Sequence, residues 1–369
     1  MNVPFVDLGR LPAERDAAVR DAVLRVLDHR RFILGPEVLG FERAMADRVD
    51  GAHVIGVSSG TDALLLALMA LDVGPGDRIV TTPFSFFATA GVVARLGARP
   101  VFVDIEPRSF GLDASGLADV ERTDVKAIIP VHLFGDVIDL DPIAAWAGPG
   151  VAVLEDAAQA IGAVDVRDRV AGTIGAMGTF SFFPTKNLGA CGDAGMVVTR
   201  DDGLAARLRR LRGHGQTEKY LHAEIGGNFR LDAMQAAALA ASLPWLDELQ
   251  RARRRNAERY LDAMTARGLG ERVVLPRLHE RHTAHQFVVR VPGGRRDDVL
   301  AGLRECGIGA AVYYPHPFHL QPCFAYLGYG AGDFPEAERA AQEVLALPIF
   351  PGLTEPEQTA VVAALDALV

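Results

Sequence analysis

Short apolar runs alternate with amphipathic stretches between about residues 54 and 200 of the chain. The apolar runs have the length and composition of buried strands, which predicts strands at 54–58, 78–82, 100–105, 127–132, 151–154, 180–183 and 195–199. Apolar residues at helical spacing between them predict helices at 63–71 and 89–96. Apolar strands that alternate with helices are typical of a mostly parallel sheet covered on both faces. The pattern therefore predicts an α/β fold.

The pattern changes on both sides of this region. An amphipathic segment precedes it, with a predicted helix at 17–27, and an alanine-rich helix at 232–243 follows it. The basic run 250–256 is interpreted as the solvated face of a connecting helix. Beyond about residue 272, the pattern predicts a smaller α/β lobe with strands at 285–291 and 310–314 and helices at 296–306 and 355–368. We expect an N-terminal segment and large domain at 1–245 and a small domain at 246–369.

The amino-acid composition excludes several classes of protein. The net charge of −9 argues against a nucleic-acid partner and gives no sign of a membrane surface. No apolar run approaches the roughly 20 residues that span a bilayer, and the first residues lack the pattern of a signal peptide. The three cysteines, Cys191, Cys306 and Cys323, are too scattered for a disulfide framework or a metal site. We expect a cytoplasmic protein.

Lys186 is the first candidate for chemistry. It lies in the segment SFFPTKNLG at 181–189, where Phe182 and Phe183 can provide an apolar pocket. A partly desolvated lysine has a lowered pKa and becomes a usable nucleophile. The alternative for an arbitrary lysine is an exposed loop residue. That alternative loses weight here because the chain has only two other lysines, Lys126 and Lys219.

Asp156 and Gln159 are the next candidates. Asp156 follows the predicted strand 151–154, and the carboxyl ends of parallel strands are where open sheets place their ligands. Gln159, three residues on, lies on the same side if a helical turn begins at Asp156. Asp156 alone is equally well explained as a helix cap or a surface ion pair. Together with Lys186 it suits pyridoxal phosphate (PLP), which needs a Schiff-base lysine and an acid that pairs with the pyridine nitrogen.

Other residues complete such a site. A helix that begins near Gly60 and Thr61 would present free N–H groups to a phosphate, although most α/β proteins have such N-termini without a ligand. Phe86 can cover a flat ring, with core packing as its alternative. Tyr314 and His319 lie in a dense polar and aromatic segment that suits a polar substrate or is simply an ordered loop.

These motifs together resemble the sugar aminotransferases of the DegT/DnrJ/EryC1/StrS family. The resemblance extends from 32–36 to 347–351, and its most specific parts are SGTDAL at 59–64, EDAAQ at 155–159, SFFPTKNLG at 181–189 and GNFRLD at 227–232. It implies a PLP enzyme of fold type I, with a mostly parallel seven-stranded sheet between helices in the large domain and a smaller C-terminal α/β domain.

The resemblance also implies a role for each matching residue. Lys186 matches the lysine that forms the Schiff base and then moves a proton. Asp156 matches the acid on the pyridine nitrogen, and Gln159 matches the residue beside the phenolic oxygen. Phe86 falls where the family covers the ring. The residues that match the phosphate cradle are Gly60, Thr61 and Ser181.

Four further positions concern the substrate and a second subunit. Asn228 matches an asparagine that reaches the phosphate of the neighbouring subunit's cofactor, which implies a homodimer with shared active sites. Arg230, Tyr314 and His319 fall in segments that the family uses near the nucleotide-sugar substrate. The implied reaction transfers an amino group from an amino acid, by family habit L-glutamate, to a keto group of a nucleotide-linked hexose.

Several alternatives stay open at this point. Dehydratases of the same family carry a histidine in place of the Schiff-base lysine, so Lys186 favours amine transfer. A non-catalytic regulatory relative would not need the complete set of site residues. A general amino-acid aminotransferase would need a late substrate arginine, and Arg290 lies within a predicted strand. The nucleotide and the position of the keto group are undetermined, although the form of GNFRLD favours a 3-keto sugar.

Overall fold

The apolar runs of the first 200 residues form one central sheet in the computed structural model, which describes residues 1–369. The strands are β1 His53–Val57, β2 Arg78–Thr81, β3 Arg99–Phe102, β4 Val125–Ile129, β5 Ala152–Asp156, β6 Met177–Ser181, β7 Gly195–Thr199, β8 Gln216–Glu218, β9 Leu221–His222, β10 Phe287–Arg290 and β11 Val344–Leu347. The helices are α1 Ala13–His29, α2 Pro36–Ala46, α3 Gly60–Ala70, α4 Ala88–Arg95, α5 Asp141–Ala147, α6 Asp202–Arg212, α7 Ala233–Ser242, α8 Leu246–Ala266, α9 Arg296–Glu305, α10 Pro335–Glu343 and α11 Glu355–Leu368. None of these helices combines the length and the apolar content that crossing a membrane requires.

The large sheet has seven strands in the order β1-β7-β6-β5-β4-β2-β3. Strands β2 to β6 pair in parallel, and β7 runs antiparallel to both of its neighbours, β1 and β6. The predicted mostly parallel sheet is therefore confirmed. Because β1, β5 and β6 point the same way, the segments that follow them emerge at one edge of the sheet, and this edge positions the site.

Both faces of the sheet are buried, as expected for parallel strands. Neighbouring residues of β1 contact different layers: Ile55 packs with α3, α4 and α6, and Val54 packs with α2 and α7. The same alternation occurs in β7, where Val197 joins the first layer and Met196 joins the second. Successive residues of a strand point to opposite faces of the sheet. Because helices cover both faces, nearly every position of these strands is apolar.

The smaller lobe has its own core. Strands β10 and β11 pair antiparallel and pack with α8, α9 and α11. The N-terminal Val3 is part of this core, because its N–H donates to Gly307 O at 2.9 Å and its carbonyl accepts from Gly309 N at 2.8 Å. The division of the chain at residues 245 and 246 stays a prediction.

Two local predictions are wrong. Residues 310–314 do not form a strand, since only Ala311 makes a bridge, to Ala346 at the free side of β11. The basic run 250–256 lies in α8 as predicted, but it is not a purely solvated face. Gln250, Arg253 and Asn256 recur at intervals of three residues and are buried against the rest of the chain.

Candidate active site

A cavity of about 600 Å³ opens at the carboxyl edge of the large sheet. It brings together residues that lie up to 262 positions apart in the sequence, between Ser59 and Gln321. The predicted residues that line it are Gly60, Thr61, Phe86, Asp156, Gln159, Ser181, Lys186 and Tyr314. Eight of the predicted residues thus lie around one cavity, and their roles there stay predictions.

Lys186 lies in the loop between β6 and β7. The loop is held by backbone hydrogen bonds, which include Lys186 N to Phe183 O at 2.8 Å. Gly189 is required there, because a Cβ atom would lie 2.2 Å from Pro184 O. The lysine side chain is partly buried at the cavity wall, and this desolvation lowers its pKa from 10.5 to about 8. The negative charge of Asp156 opposes that shift.

Asp156 ends β5 and is buried beside the cavity. Its Oδ2 accepts a hydrogen bond from Thr89 Oγ1 at 2.8 Å, and its Oδ1 accepts one from Ala158 N at 3.2 Å. Burial raises the pKa of Asp156, and these two hydrogen bonds and the charge of Lys186 oppose the rise. The carboxylate is therefore poised to pair with a cationic group of a ligand.

Gln159 connects two walls of the cavity. Its Oε1 accepts a hydrogen bond from Phe134 N at 2.7 Å, and its Nε2 donates to Tyr314 Oη at 3.1 Å. Burial raises the pKa of Tyr314, so its phenol stays protonated. The exposed ring of Phe86 lies 6.4 Å from that of Tyr314 at the cavity wall.

The start of α3 lies at the cavity wall. Ser59 caps the helix, since its Oγ accepts from Asp62 N at 3.0 Å. The N–H groups of Gly60 and Thr61 have no acceptor within the helix, and they lie at the positive end of its dipole. A Cβ atom on Gly60 would lie 2.6 Å from Ser181 Cβ, so glycine allows this close approach. These groups suit a phosphate.

Asn228 and Arg230 do not line the cavity of this chain. Asn228 is exposed, and its Oδ1 accepts a hydrogen bond from Arg230 Nε at 2.8 Å. Backbone bridges to Gly213 and Val57 hold the segment beside β1. Their roles towards a neighbouring cofactor and a substrate stay predictions.

His319 also lies outside the cavity. Its side chain is buried, with Nε2 at 3.0 Å from Glu338 Oε1 and its ring 4.8 Å from that of Phe334. The cavity-lining histidine of the same segment is His316. A contact between His319 and a substrate stays a prediction that this chain's geometry does not support directly.

Sequence reasoning missed Ser85, Thr89 and His285. Ser85 and His285 line the cavity, and Thr89 contacts Asp156 from the first turn of α4. The available signal for Ser85 and Thr89 was their position after β2, a strand whose carboxyl end lies at the same edge of the sheet. His285 comes from the smaller lobe, and no local pattern marks it.

Comparisons with known proteins agree with this fold. Over residues 13–366 the chain matches the model of the DegT/DnrJ/EryC1/StrS aminotransferase family. It is 47% identical to a pleiotropic regulatory protein of Geobacillus stearothermophilus, across 98% of this chain and 97% of that protein. It is 43% identical to the UDP-N-acetyl-3-dehydro-alpha-D-glucosamine 3-aminotransferase of Acidithiobacillus ferrooxidans, across 98% and 96% of the two chains. Its fold superimposes on the crystal structure of S. venezuelae DesV in complex with a ketimine intermediate with a TM-score of 0.94, at 40% identity and across 99% and 98% of the chains. The protein belongs to the DegT/DnrJ/EryC1/StrS aminotransferase family.

Proposed function

We propose that the protein transfers an amino group from an amino acid, L-glutamate by family resemblance, to the keto group of a nucleotide-linked sugar, with PLP as its cofactor. The observation that carries this proposal is the single cavity in which Lys186, Asp156 and the start of α3 meet. When PLP is bound there, its ring serves as the electron sink for the carbon that carries the amine.

The residues of the cavity fit that cofactor in three places. Lys186 presents an amine whose lowered pKa leaves a useful free-base fraction near neutral pH, so it can act as nucleophile and then as proton carrier. Asp156 would hold the ring nitrogen protonated, because a carboxylate in a buried site favours a cationic partner. The N–H groups of Gly60 and Thr61, together with Ser181, would bind the phosphate.

The cavity suits a sugar better than a keto acid as the amine acceptor. No arginine of this chain lines it, so the wall of one chain offers no bidentate partner for the carboxylates of an amino acid or a keto acid. Arg290 is occupied elsewhere, with Nε at 2.8 Å from Glu343 Oε2 and Nη1 at 3.0 Å from Pro107 O. The wall instead offers His316 and Gln321 next to aromatic rings, which suits hydroxyl groups on an apolar ring face.

A second copy of the chain would complete the site. Lys186 is the only lysine or arginine of this chain in the cavity wall, whereas the cofactor phosphate, the donor carboxylates and a nucleotide diphosphate are all anions. Arg230 and Asn228 are available outside the cavity. Exposed apolar side chains of the N-terminal region, among them Ile33 at 59% and Leu39 at 50% exposure, provide a surface for association. A homodimer with shared sites follows from this proposal.

The acceptor is proposed to be a 3-keto sugar. The relative from Acidithiobacillus ferrooxidans bears the name of a 3-aminotransferase of a 3-dehydro sugar, and the 227–232 segment favours the same assignment. A regulatory role is the second candidate, because the relative from Geobacillus stearothermophilus is named a regulatory protein. The intact set of Lys186, Asp156 and Gln159 favours catalysis, and a lysine rather than a histidine at position 186 disfavours dehydration.

The test combines spectroscopy with a substrate panel. Purified protein with PLP should absorb as a bound Schiff base and lose that band when L-glutamate is added, and the amine-loaded protein should then aminate one or more members of a panel of 3-keto and 4-keto nucleotide sugars. Lys186→Ala should abolish the band. Lys219→Ala, which changes an exposed lysine, is the matched control and should behave as the wild type. Absence of any response to amino donors would refute the proposal.

A further inference from the structure

A second, small cavity borders the loop that carries Lys186. Its volume is about 30 Å³, and its wall is formed by the lysine loop, the N-terminal segment and α8. Lys186 and Asn187 line it from the loop, Asp7 and Arg15 from the N-terminal segment, and Arg253 from α8. No step of the proposed function uses this cavity.

Arg253 is unusual among the buried arginines of the chain. Four arginines are buried, and Arg253 is the most buried of them, with 5% exposure. Each of the other three has a carboxylate oxygen within 2.8 Å, in the pairs Arg212–Glu42, Arg290–Glu343 and Arg296–Asp297. Arg253 has no ion pair within the chain. Because a buried charge is costly without an opposite charge beside it, Arg253 indicates that a counter-charge comes from outside the chain.

The guanidinium group of Arg253 has donors to spare. Its Nη1 donates to His285 O at 3.4 Å and to Ile349 O at 2.9 Å. Nε and Nη2 make no hydrogen bond within the chain, and neither atom is fully enclosed by protein. Since the residue is buried and lines the small cavity, these two nitrogens face it.

Arg15 provides a further donor from α1. Its Nη1 donates to Asp16 Oδ1 at 2.8 Å, whereas its Nε is enclosed and has no partner within the chain. The side chain is 14% exposed, and it lines the same cavity. A buried N–H without an acceptor is unfavourable, so this atom also indicates an acceptor that the chain does not supply.

The charges around the cavity favour an anion. Arg15, Lys186 and Arg253 are cationic residues of the wall, and its only carboxylate is that of Asp7. Asp7 is already paired, because its Oδ2 accepts from Arg10 Nε at 3.0 Å. Burial lowers the pKa of Arg253 to about 10, so its guanidinium group is still charged at neutral pH.

We propose that this cavity binds one monatomic anion of the size of chloride, with Arg253 as its counter-charge and Nε of Arg15 as a hydrogen-bond donor. The volume admits one or two groups of the size of water, and it is too small for sulfate or phosphate. An ion at this place connects the N-terminal segment and α8 with the loop of Lys186. The proposal does not depend on amine transfer, and the ion takes no part in the chemistry of the main cavity.

The direct test locates bromide in crystals of the full-length wild-type protein with PLP. Bromide has the charge and nearly the size of chloride, and its anomalous scattering distinguishes it from water. We expect an anomalous peak in the small cavity, within hydrogen-bond distance of Arg253 and of Arg15 Nε. Density of a water molecule without an anomalous signal, or bromide peaks at the protein surface alone, would overturn the proposal. This test needs no variant to fold.

The solution test measures the melting temperature of the protein with PLP against bromide concentration, with gluconate added to keep the ionic strength constant. A ligand that binds only the folded state stabilises it, so bromide at ten times its dissociation constant should raise the melting temperature by about 2 °C. Arg15→Met removes one hydrogen bond to the ion, and the half-saturating bromide concentration should rise by about 10-fold or more. Arg253→Met should abolish the response.

Arg255→Met is the matched control, because it removes the same charge from an exposed position of α8. This variant should respond to bromide as the wild type does. An equal response of Arg15→Met and the wild type would mean that bromide acts elsewhere, and it would overturn the proposal. The measurements use no amino donor and no sugar, so a failure of the proposed amine transfer would appear separately, in the substrate panel.

Discussion

Thr89→Val tests whether Asp156 must be held as a carboxylate for the cofactor to bind. Thr89 Oγ1 donates to Asp156 Oδ2 at 2.8 Å, and both side chains are buried. Valine has nearly the same shape as threonine but no hydroxyl, so the substitution deletes this donor and also removes the partner that Ser85 Oγ has at 3.1 Å. The remaining hydrogen bond to the carboxylate is the one from Ala158 N.

The expected loss of PLP affinity follows from the strength of one hydrogen bond. A hydrogen bond to a buried charged group contributes about 1.5–3 kcal/mol. At about 1.4 kcal/mol per pKa unit, its loss raises the pKa of Asp156 by a further one to two units. If the cofactor binds only to the ionised form, its affinity should fall by about 10- to 100-fold at pH values below the wild-type pKa of Asp156, and by less between that value and the new pKa. The loss should diminish at higher pH, where the carboxyl group ionises without help.

The assay is a titration of cofactor-free protein with PLP, followed by absorbance at several pH values. Thr89→Ser keeps the hydroxyl and should bind PLP nearly as well as the wild type. Thr81→Val is the matched control, because Thr81 Oγ1 donates to Ile129 O at 2.7 Å in the same sheet, away from the cavity. That variant should lose stability without losing PLP affinity.

Two results would refute the reasoning about Asp156. If Thr89→Val binds PLP as tightly as the wild type at all pH values, the hydroxyl does not support the carboxylate. If Thr89→Val and Thr81→Val lose the same affinity, the loss reflects general destabilisation of the sheet rather than the charge state of Asp156.

Three further results are expected. Because burial lowers the pKa of Lys186 to about 8, the rate of PLP uptake should rise with pH and level off above about pH 8, whereas a rise that continues to about pH 10 would indicate an ordinary lysine. Glu42→Ala should lower the free energy of unfolding, measured by urea denaturation, by about 3 kcal/mol, because it leaves the buried Arg212 without its ion-pair partner. The control is Arg200→Ala at a surface ion pair, which should change the free energy of unfolding by less than about 0.5 kcal/mol. Without cofactor, the raised pKa of Asp156 gives stability that is present below its ordinary value of 3.8 and is lost as pH rises. Asp156→Asn should remove that decline from a plot of melting temperature against pH. The same plot for the variant and the wild type would contradict the raised pKa of Asp156.

The site residues that the sequence revealed share one property. Asp156, Lys186 and Gly60 each follow an apolar strand that local patterning identifies. Parallel strands end at the same edge of a sheet, so this patterning is enough to bring residues together that are more than 100 positions apart. The antiparallel direction of β7 was not visible in the pattern, because both directions give the same apolar run when a strand is buried on both faces.

The residues that the sequence did not reveal make contacts between different helices, strands and loops. Thr89 and Asp156 are 67 positions apart, and Asn187 and His285 are 98 positions apart. Arg253 was assigned to a solvated face because its charge suggests water. Its hydrogen-bond partners are backbone carbonyls, which every residue has, and they therefore leave no mark in the amino-acid sequence.

The opposite pKa shifts of Lys186 and Asp156 explain how two charged groups can share one buried cavity. Burial favours the neutral form of each group, while the charge of each opposes the shift of the other. The two groups therefore titrate as a coupled pair, and a change that removes one charge moves the other group toward its neutral form. The hydrogen bonds from Thr89 and Ala158 go only to the carboxylate, so they bias the pair toward an ionised Asp156. That bias opposes the loss of the carboxylate's charge when the lysine amine gives up its own, and a protonated ring nitrogen requires that negative charge.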